Sequence, residues 1–387
     1  MENAPAACRV RLLHDFQSVA IDTNNGVVSS QTGSAASMWS IWCSFCAEIG
    51  ADPLLQCLAD PIPILQVFAL RYRRGIISAS GAPTQKRQVE EALRSVGQAL
   101  AALGLPDPRF ARFSTSLDFR LKRQLAGYQR LDPPPQRVKP IPLPVLRFAV
   151  DAALRRISPI AEALSDLIVL AFFYLLRPGE YAHSPSPEAA PFRLQDVHLF
   201  CGAFKLNTFT TSFDALHSAT FSGLEFTNQK NGVRGEVIGL GKSARGDRWC
   251  PVGATVRRVI ALRQANAPPS TPLHAFWQDG RWCVVASSHV TEQLRLAVRV
   301  IGSQYGLQPS DISARSLRCS GAMALLCASV DTDIIRLIGR WRSDEMFRYL
   351  HTQAAPLTTN LSRRMVDSGS YVLVPNTPHA QLVQALV

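Results

Sequence analysis

A proline-rich basic segment, DPPPQRVKPIPLP at 132–144, sets the strongest limit on how this chain can fold. Each proline fixes its φ and removes a backbone donor, so neither a helix interior nor a central strand can run through it. The segment reads as an extended, semi-rigid connector and so marks a domain boundary. At 387 residues the chain is long enough for a separate core on each side. Hydrophobic residues make up 47% of it, enough to fill both.

The two sides differ in pattern. Residues 1–30 show weak periodicity and read as an N-terminal arm. Apolar residues then recur at helical spacing over Thr32–Ile49, with Asp52-Pro53 as a stop. Further helices are predicted over Pro63–Ile77, Gln85–Leu103 and Phe113–Tyr128, the third ended by Gly104 and Pro106. Residues 31–131 are thus expected to form an all-helical domain. Beyond the connector, Val145–Ile157 and Pro159–Leu176 read as helices. Asp196–Phe200, Gly223–Thr227 and Gly235–Leu240 read as short strands, with Asn231-Gly232 as the turn between the last two. Helices resume at Ala254–Gln264, Val290–Tyr305, Ser316–Val330 and Asp333–Ile338. The fold expected is mainly α with a small antiparallel β-sheet. The mixed domain spans 145–355, and a tail follows over 356–387.

Charge narrows the partners. Lysine and arginine number 41 against 29 acidic residues, a net +12 that favours polyanions, nucleic acid first. The excess is spread along the chain, which suits a long groove better than a basic tail. Candidate contacts are Arg71, Arg73, Arg74, Lys86, Arg87, Arg120, Lys122 and Arg123, with Arg137 and Lys139 in the connector. The nine cysteines are scattered. Cys43 and Cys46 form C-x-x-C inside an apolar helical pattern, without a second pair at zinc-like spacing, so reduced core cysteines are expected and no metal. No apolar run reaches the roughly 18 residues of a membrane span. The N-terminus lacks a charged-then-apolar signal pattern, so an intracellular protein is expected.

Three constellations carry chemistry. In Leu175-Leu176-Arg177-Pro178-Gly179-Glu180 a strongly apolar helix stops at an arginine. Proline disfavours helical geometry in the residue before it and opens the next helix well. An arginine fixed at a buried helix end needs an anion, either Glu180 or a phosphate. The second is Lys230, in Gln229-Lys230-Asn231-Gly232 at a hairpin tip, with Lys242 as a rival. The third runs from Arg315 to Tyr349. Arg315 and Arg318 sit three apart near a helix N-terminus, a place that favours anions. Arg340-Trp341 follows a short helix, and Tyr349, Leu350 and His351 come after. Clustered guanidinium groups beside one tyrosine suit attack on a phosphodiester whose oxygens the arginines hold.

The motifs LLRPGEYA, QKNGVRGEV, SLRCSGA and IGRWRSDEMFRYLH, in that order, resemble the tyrosine recombinase (phage integrase) superfamily, and their wording is similar to the eukaryotic branch in DIRS-like and Crypton-like mobile elements. The resemblance covers about residues 30–355. It is specific in the second domain and architectural in the first. It implies a helical core-binding domain and a catalytic domain that clamp a duplex as a C shape, and double-stranded DNA as partner. Four protomers would act in a synapse, no cofactor would be needed, and a eukaryotic host would place the protein in the nucleus. Arg177 and Arg318 would clamp the phosphate, Lys230 would protonate the leaving 5′ oxygen, and Tyr349 would be the nucleophile. Trp341, Glu180 and His351 are secondary candidates. Two positions depart from the family: Arg315 stands where histidine is usual, and Arg340 where histidine or tryptophan is. Arginine cannot exchange a proton near neutral pH. The alternatives are a catalytically impaired DNA-binding relative and a type IB topoisomerase-like relaxer.

Overall fold

The computed structural model describes residues 15, 18, 29–56, 58–111, 114–134, 138–185, 189–227, 235–243, 248–341 and 363. Two compact units emerge, Met1–Pro135 and Gln136–Val387, and the division between them falls in the proline-rich segment of the sequence.

The first unit is helical: α1 (Ser29–Glu48), α2 (Ile62–Arg73), α3 (Lys86–Ala102) and α4 (Phe119–Leu131). In α3 the buried positions Val89, Leu93, Val96 and Leu100 follow helical spacing and form one apolar stripe. That stripe meets Trp42, Phe45, Leu65, Phe68 and Leu121 in a common core. Trp42 and Phe68 pack edge to face with centroids 5.1 Å apart. Cys46 lies buried in this core, where desolvation pushes its thiol up to about 12. The fourth helix starts later than its sequence pattern suggests. Asp118 accepts from the Arg120 amide and caps it, and Leu117 is held in an antiparallel bridge with Phe110 instead.

The second unit is mixed. Its helices are α5 (Leu143–Leu154), α6 (Pro159–Phe173), the one-turn α7 (Pro178–Tyr181), α8 (Phe213–His217), α9 (Pro251–Gln264), α10 (Ser287–Ile301), α11 (Ser316–Cys327) and α12 (Thr332–Gly339). The strands are β1 (Val197–Cys201), β2 (Phe204–Leu206), β3 (Phe221–Phe226), β4 (Glu236–Gly241), β5 (Ala275–Gln278) and β6 (Arg281–Val284). An antiparallel sheet runs β2-β1-β3-β4, with Val197 opposite Leu224 and Leu224 opposite Ile238, all three turned to the core. The fold is mainly α with a small antiparallel sheet, as the sequence pattern leads one to expect. None of the described helices is long and apolar enough to cross a membrane.

At the centre lies α6, buried along nearly its whole length. A helix apolar all round must be covered on every side; α5, α9, α10, α11 and β5 all pack against it. Ser158 caps its start by accepting from the Ala161 amide. Its end differs from the pattern: helical geometry stops at Phe173, and Leu175 turns into the left-handed region with φ 50°.

Candidate active site

The chemistry converges on that helix end. Helix C-termini leave carbonyls without intrahelical partners, and buried ones must be satisfied some other way. Here Tyr174 and Leu175 are fully buried, so water is not on hand for their carbonyls. Guanidinium groups take its place. Arg318, early in α11, donates from Nη1 to the Leu175 carbonyl at 2.6 Å and from Nη2 to the Gly339 carbonyl. Arg340 reaches the Leu175 carbonyl as well, at 3.3 Å, and donates to Tyr174 O at 3.3 Å and Ile338 O at 3.0 Å. Two arginines from distant segments thus share the Leu175 oxygen.

Two residues on, Arg177 is extended and caps α7, with Pro178 at the first helical position as the Arg-Pro step predicts. Glu180 returns to it. Glu180 Oε2 accepts from the Arg177 amide at 2.8 Å, and Oε1 accepts from Arg177 Nη1 at 3.0 Å. Glu180 Oε2 also accepts from Arg340 Nη2 at 2.9 Å. One carboxylate therefore bridges two guanidinium groups, giving a local net positive charge. Exposure separates the arginines: the Arg177 side chain is 30% exposed, whereas Arg318 and Arg340 are 4% and 6% exposed as residues. Burial pulls Arg340 below the usual arginine range, while Glu180 pulls the other way.

Aromatic faces complete the cluster. The Arg318 guanidinium lies 4.2 Å from the Trp341 ring centroid, and that of Arg340 lies 4.0 Å from Phe226. Arg340 has a left-handed backbone, φ 57°, and ends α12. The turn needs the preceding glycine, because a methyl group at Gly339 would collide with the Trp341 ring. Gly321 has a similar role in α11, where a methyl group would meet the Phe172 carbonyl of α6.

Other predicted residues lie outside this cluster. Arg315 is exposed and precedes the first residue of α11, one turn before buried Arg318. Lys230, the Asn231-Gly232 turn, Tyr349, His351 and Arg137 lie outside the described residues. The rival Lys242 follows β4 and lines a cavity of about 180 Å³ with His217, Cys250 and Arg257. Phe226 and the carbonyls of Tyr174, Leu175 and Gly339 were not predicted. Nothing local signals them, since each meets an arginine far away in the chain. Among the described residues no group of three or more His, Cys, Asp or Glu could hold a metal ion.

The basic candidates of the first unit fall into two sets. Arg71 pairs with Glu48, Arg73 with Asp132, Lys86 with Glu90, Arg87 with Glu91, and Arg120 with Asp60 and Asp118. Arg74, Lys122 and Arg123 are exposed and have no acidic partner among the described residues. In the second unit, Lys139 pairs with Asp311 at 2.9 Å.

Comparison with solved structures finds similarity to integrases and recombinases. The Tn1549 transposon integrase in complex with circular intermediate DNA is 14% identical, with 90% of this chain and 97% of that one covered and a TM-score of 0.49. XerA recombinase is 13% identical, over 91% and 97%, with a TM-score of 0.37. The XerH site-specific recombinase bound to its difH substrate is 11% identical, over 82% and 98%, with a TM-score of 0.38. No family model matches the chain, and neither does any curated protein.

Proposed function

We propose that the chain is a site-specific DNA recombinase that cuts and rejoins strands through a 3′-phosphotyrosyl intermediate, as a mobile element requires. One observation carries the reading: Arg177, Arg318 and Arg340, far apart in sequence, meet at one helix end, where Glu180 joins Arg177 to Arg340 and the Leu175 carbonyl joins Arg340 to Arg318. They do so in the motif order that resembles tyrosine recombinases. Arg177 has the exposure to take a phosphate oxygen, and exposed Arg315 at the start of α11 is a second cation. In this reading the Tyr349 oxygen attacks phosphorus, the P–O5′ bond breaks, and Lys230 gives its proton to the departing 5′ oxygen. The phosphotyrosyl bond keeps the energy of the broken one, so a 5′ hydroxyl can reverse the step without ATP. Guanidinium groups supply the charge stabilisation of the phosphorane. Arg315 cannot serve as a base at neutral pH, so Tyr349 loses its proton through the surrounding positive field. The helical first unit supplies further DNA contacts, and four protomers assemble on the duplex. A eukaryotic cell would house the working enzyme in its nucleus.

A second reading, a DNA-binding relative that no longer cleaves, is favoured by one observation. The terminal nitrogens of Arg318 and Arg340 already serve backbone carbonyls. The test selects a duplex from a random pool on the full chain, nicks it beside each candidate phosphate, and looks for trapped covalent product. The recombinase reading expects an adduct that Tyr349→Phe abolishes. Specific binding without adduct at any nick position leaves the binding relative, and site-independent relaxation of plasmid by a monomer leaves a topoisomerase.

A further inference from the structure

We infer that Arg340 is a positioning residue, one that aims Arg177 through Glu180 and does not itself take the phosphate; the inference rests on the DNA-cleaving reading above. Arg340 is buried, and its Nη atoms meet three carbonyls and one carboxylate oxygen. Phe226 covers the guanidinium face at 4.0 Å. Its left-handed backbone brings it to the end of α6, where Leu175 is left-handed too. Two residues with sparsely populated backbone conformations are therefore linked, through the bond from Arg340 Nη2 to the Leu175 carbonyl.

Glu180 is the link to the exposed arginine. Its Oε2 is held by Arg340 Nη2 and by the Arg177 amide, which leaves Oε1 aimed at Arg177 Nη1. Without Arg340, Glu180 would be held by Arg177 alone, and the carboxylate and guanidinium could swing as a pair. With both donors on Oε2 the carboxylate is held from two directions, and Oε1 gives Arg177 a defined direction toward solvent. Sharing matters for charge as well: a carboxylate divided between two cations neutralises neither fully, so Arg177 retains attraction for an anion. A histidine or tryptophan has no fork of donors to bridge three carbonyls and a carboxylate; arginine does.

The test uses the full chain and the duplex selected on it, reading two quantities: the slope of log affinity against log salt, and the adduct rate on the nicked duplex. Each lost phosphate contact lowers the slope by about 0.9. Arg177→Gln is expected to lower it by that amount, whereas Arg340→Gln leaves it unchanged and slows adduct formation about 10²-fold through misplacement. Glu180→Gln gives the same pattern, and the Arg340→Gln/Glu180→Gln double variant is no slower than the slower single. Arg340→Lys, which keeps a charge facing Glu180, retains folding where the glutamine variant loses it and is expected to recover part of the rate at unchanged slope. A slope lowered by Arg340→Gln as much as by Arg177→Gln makes Arg340 a phosphate ligand and overturns the inference. So do fully additive rate losses in the double variant. If the unmodified chain binds DNA but forms no adduct, the cleaving reading fails and the positioning role with it; the slopes then still separate that result from a direct contact by Arg340.

Discussion

Single residues in the second unit are asked to satisfy groups that water would ordinarily reach. Arg318 and Arg340 do this with several donors each. His274 shows the opposite case: it is buried, and its Nδ1 has no hydrogen-bond partner among the described residues. Its surroundings are hostile to charge. Arg258 lies against it through the carbonyls of Leu273 and Ala275, and the His183 ring is 5.9 Å away. Desolvation first, then these two neighbours, pulls His274 down from 6.5 to about 4. The unfolded chain therefore takes up a proton near pH 6.5 that the folded chain refuses until about pH 4. Stability from this residue is complete above pH 6.5 and is lost as pH falls to about 4, by up to about 3 kcal/mol. His274→Leu is expected to flatten the fall in melting temperature between pH 7 and pH 4.5, measured by circular dichroism against the unmodified chain. An equal fall in both proteins would show that other groups set the acid limb.

Elements were legible where one local signal decided them. The stripe Val89–Leu100 fixed α3, and Ser158-Pro159 fixed the start of α6. The Arg-Pro step fixed the break at Arg177. Elements failed to show where the signal was short or a partner distant. The β5–β6 hairpin is absent from the predicted strands, although Asp279-Gly280 between its strands is a turn pair with positive φ at both residues, 50° and 75°. The three-residue β2 and five-residue α8 are too short for periodicity to register. The predicted end of α6 falls later than the observed Phe173 because Leu175 and Leu176 continue the apolar run. Tertiary contacts with Arg318 and Arg340 satisfy the carbonyl that the left-handed turn leaves there. The residue types of the candidate site could be picked out from motif order, but the bonds that join them could not. The same close packing predicts a mutational result: Gly321→Ala presses α11 against a backbone carbonyl of α6, which cannot move aside as a side chain tip would. A loss of about 1–3 kcal/mol is expected, seen as a lower urea midpoint at unchanged slope. An unaltered midpoint would mean that the two helices tolerate a wider spacing.

For the whole molecule, the net charge of +12 overstates what is available to a polyanion. In the first unit many cations are engaged by neighbouring carboxylates, and surface pairs of this kind add little to stability. Those without an acidic partner among the described residues include Lys122 and Arg123, side by side on α4, and Arg74 at the end of α2. DNA affinity is expected to depend on these more than on the paired set. Replacing Lys122 and Arg123 together by glutamine should lower the salt slope by about 1.8, two contacts' worth, whereas Arg87→Gln should change it little. Equal effects from both variants would mean that the ion pairs open on contact with the duplex.

The Leu175 carbonyl has a consequence for the order in which the protein is made. Its two guanidinium partners lie 143 and 165 residues further along the chain. A ribosome releases the helix end long before it releases either arginine. Until then the carbonyls of Tyr174 and Leu175 have only water, and nothing from Arg340 yet restrains Glu180. The arginine cluster that would handle a phosphate is therefore a late product of synthesis. A chain truncated before Arg318 carries Arg177 without the frame that aims it.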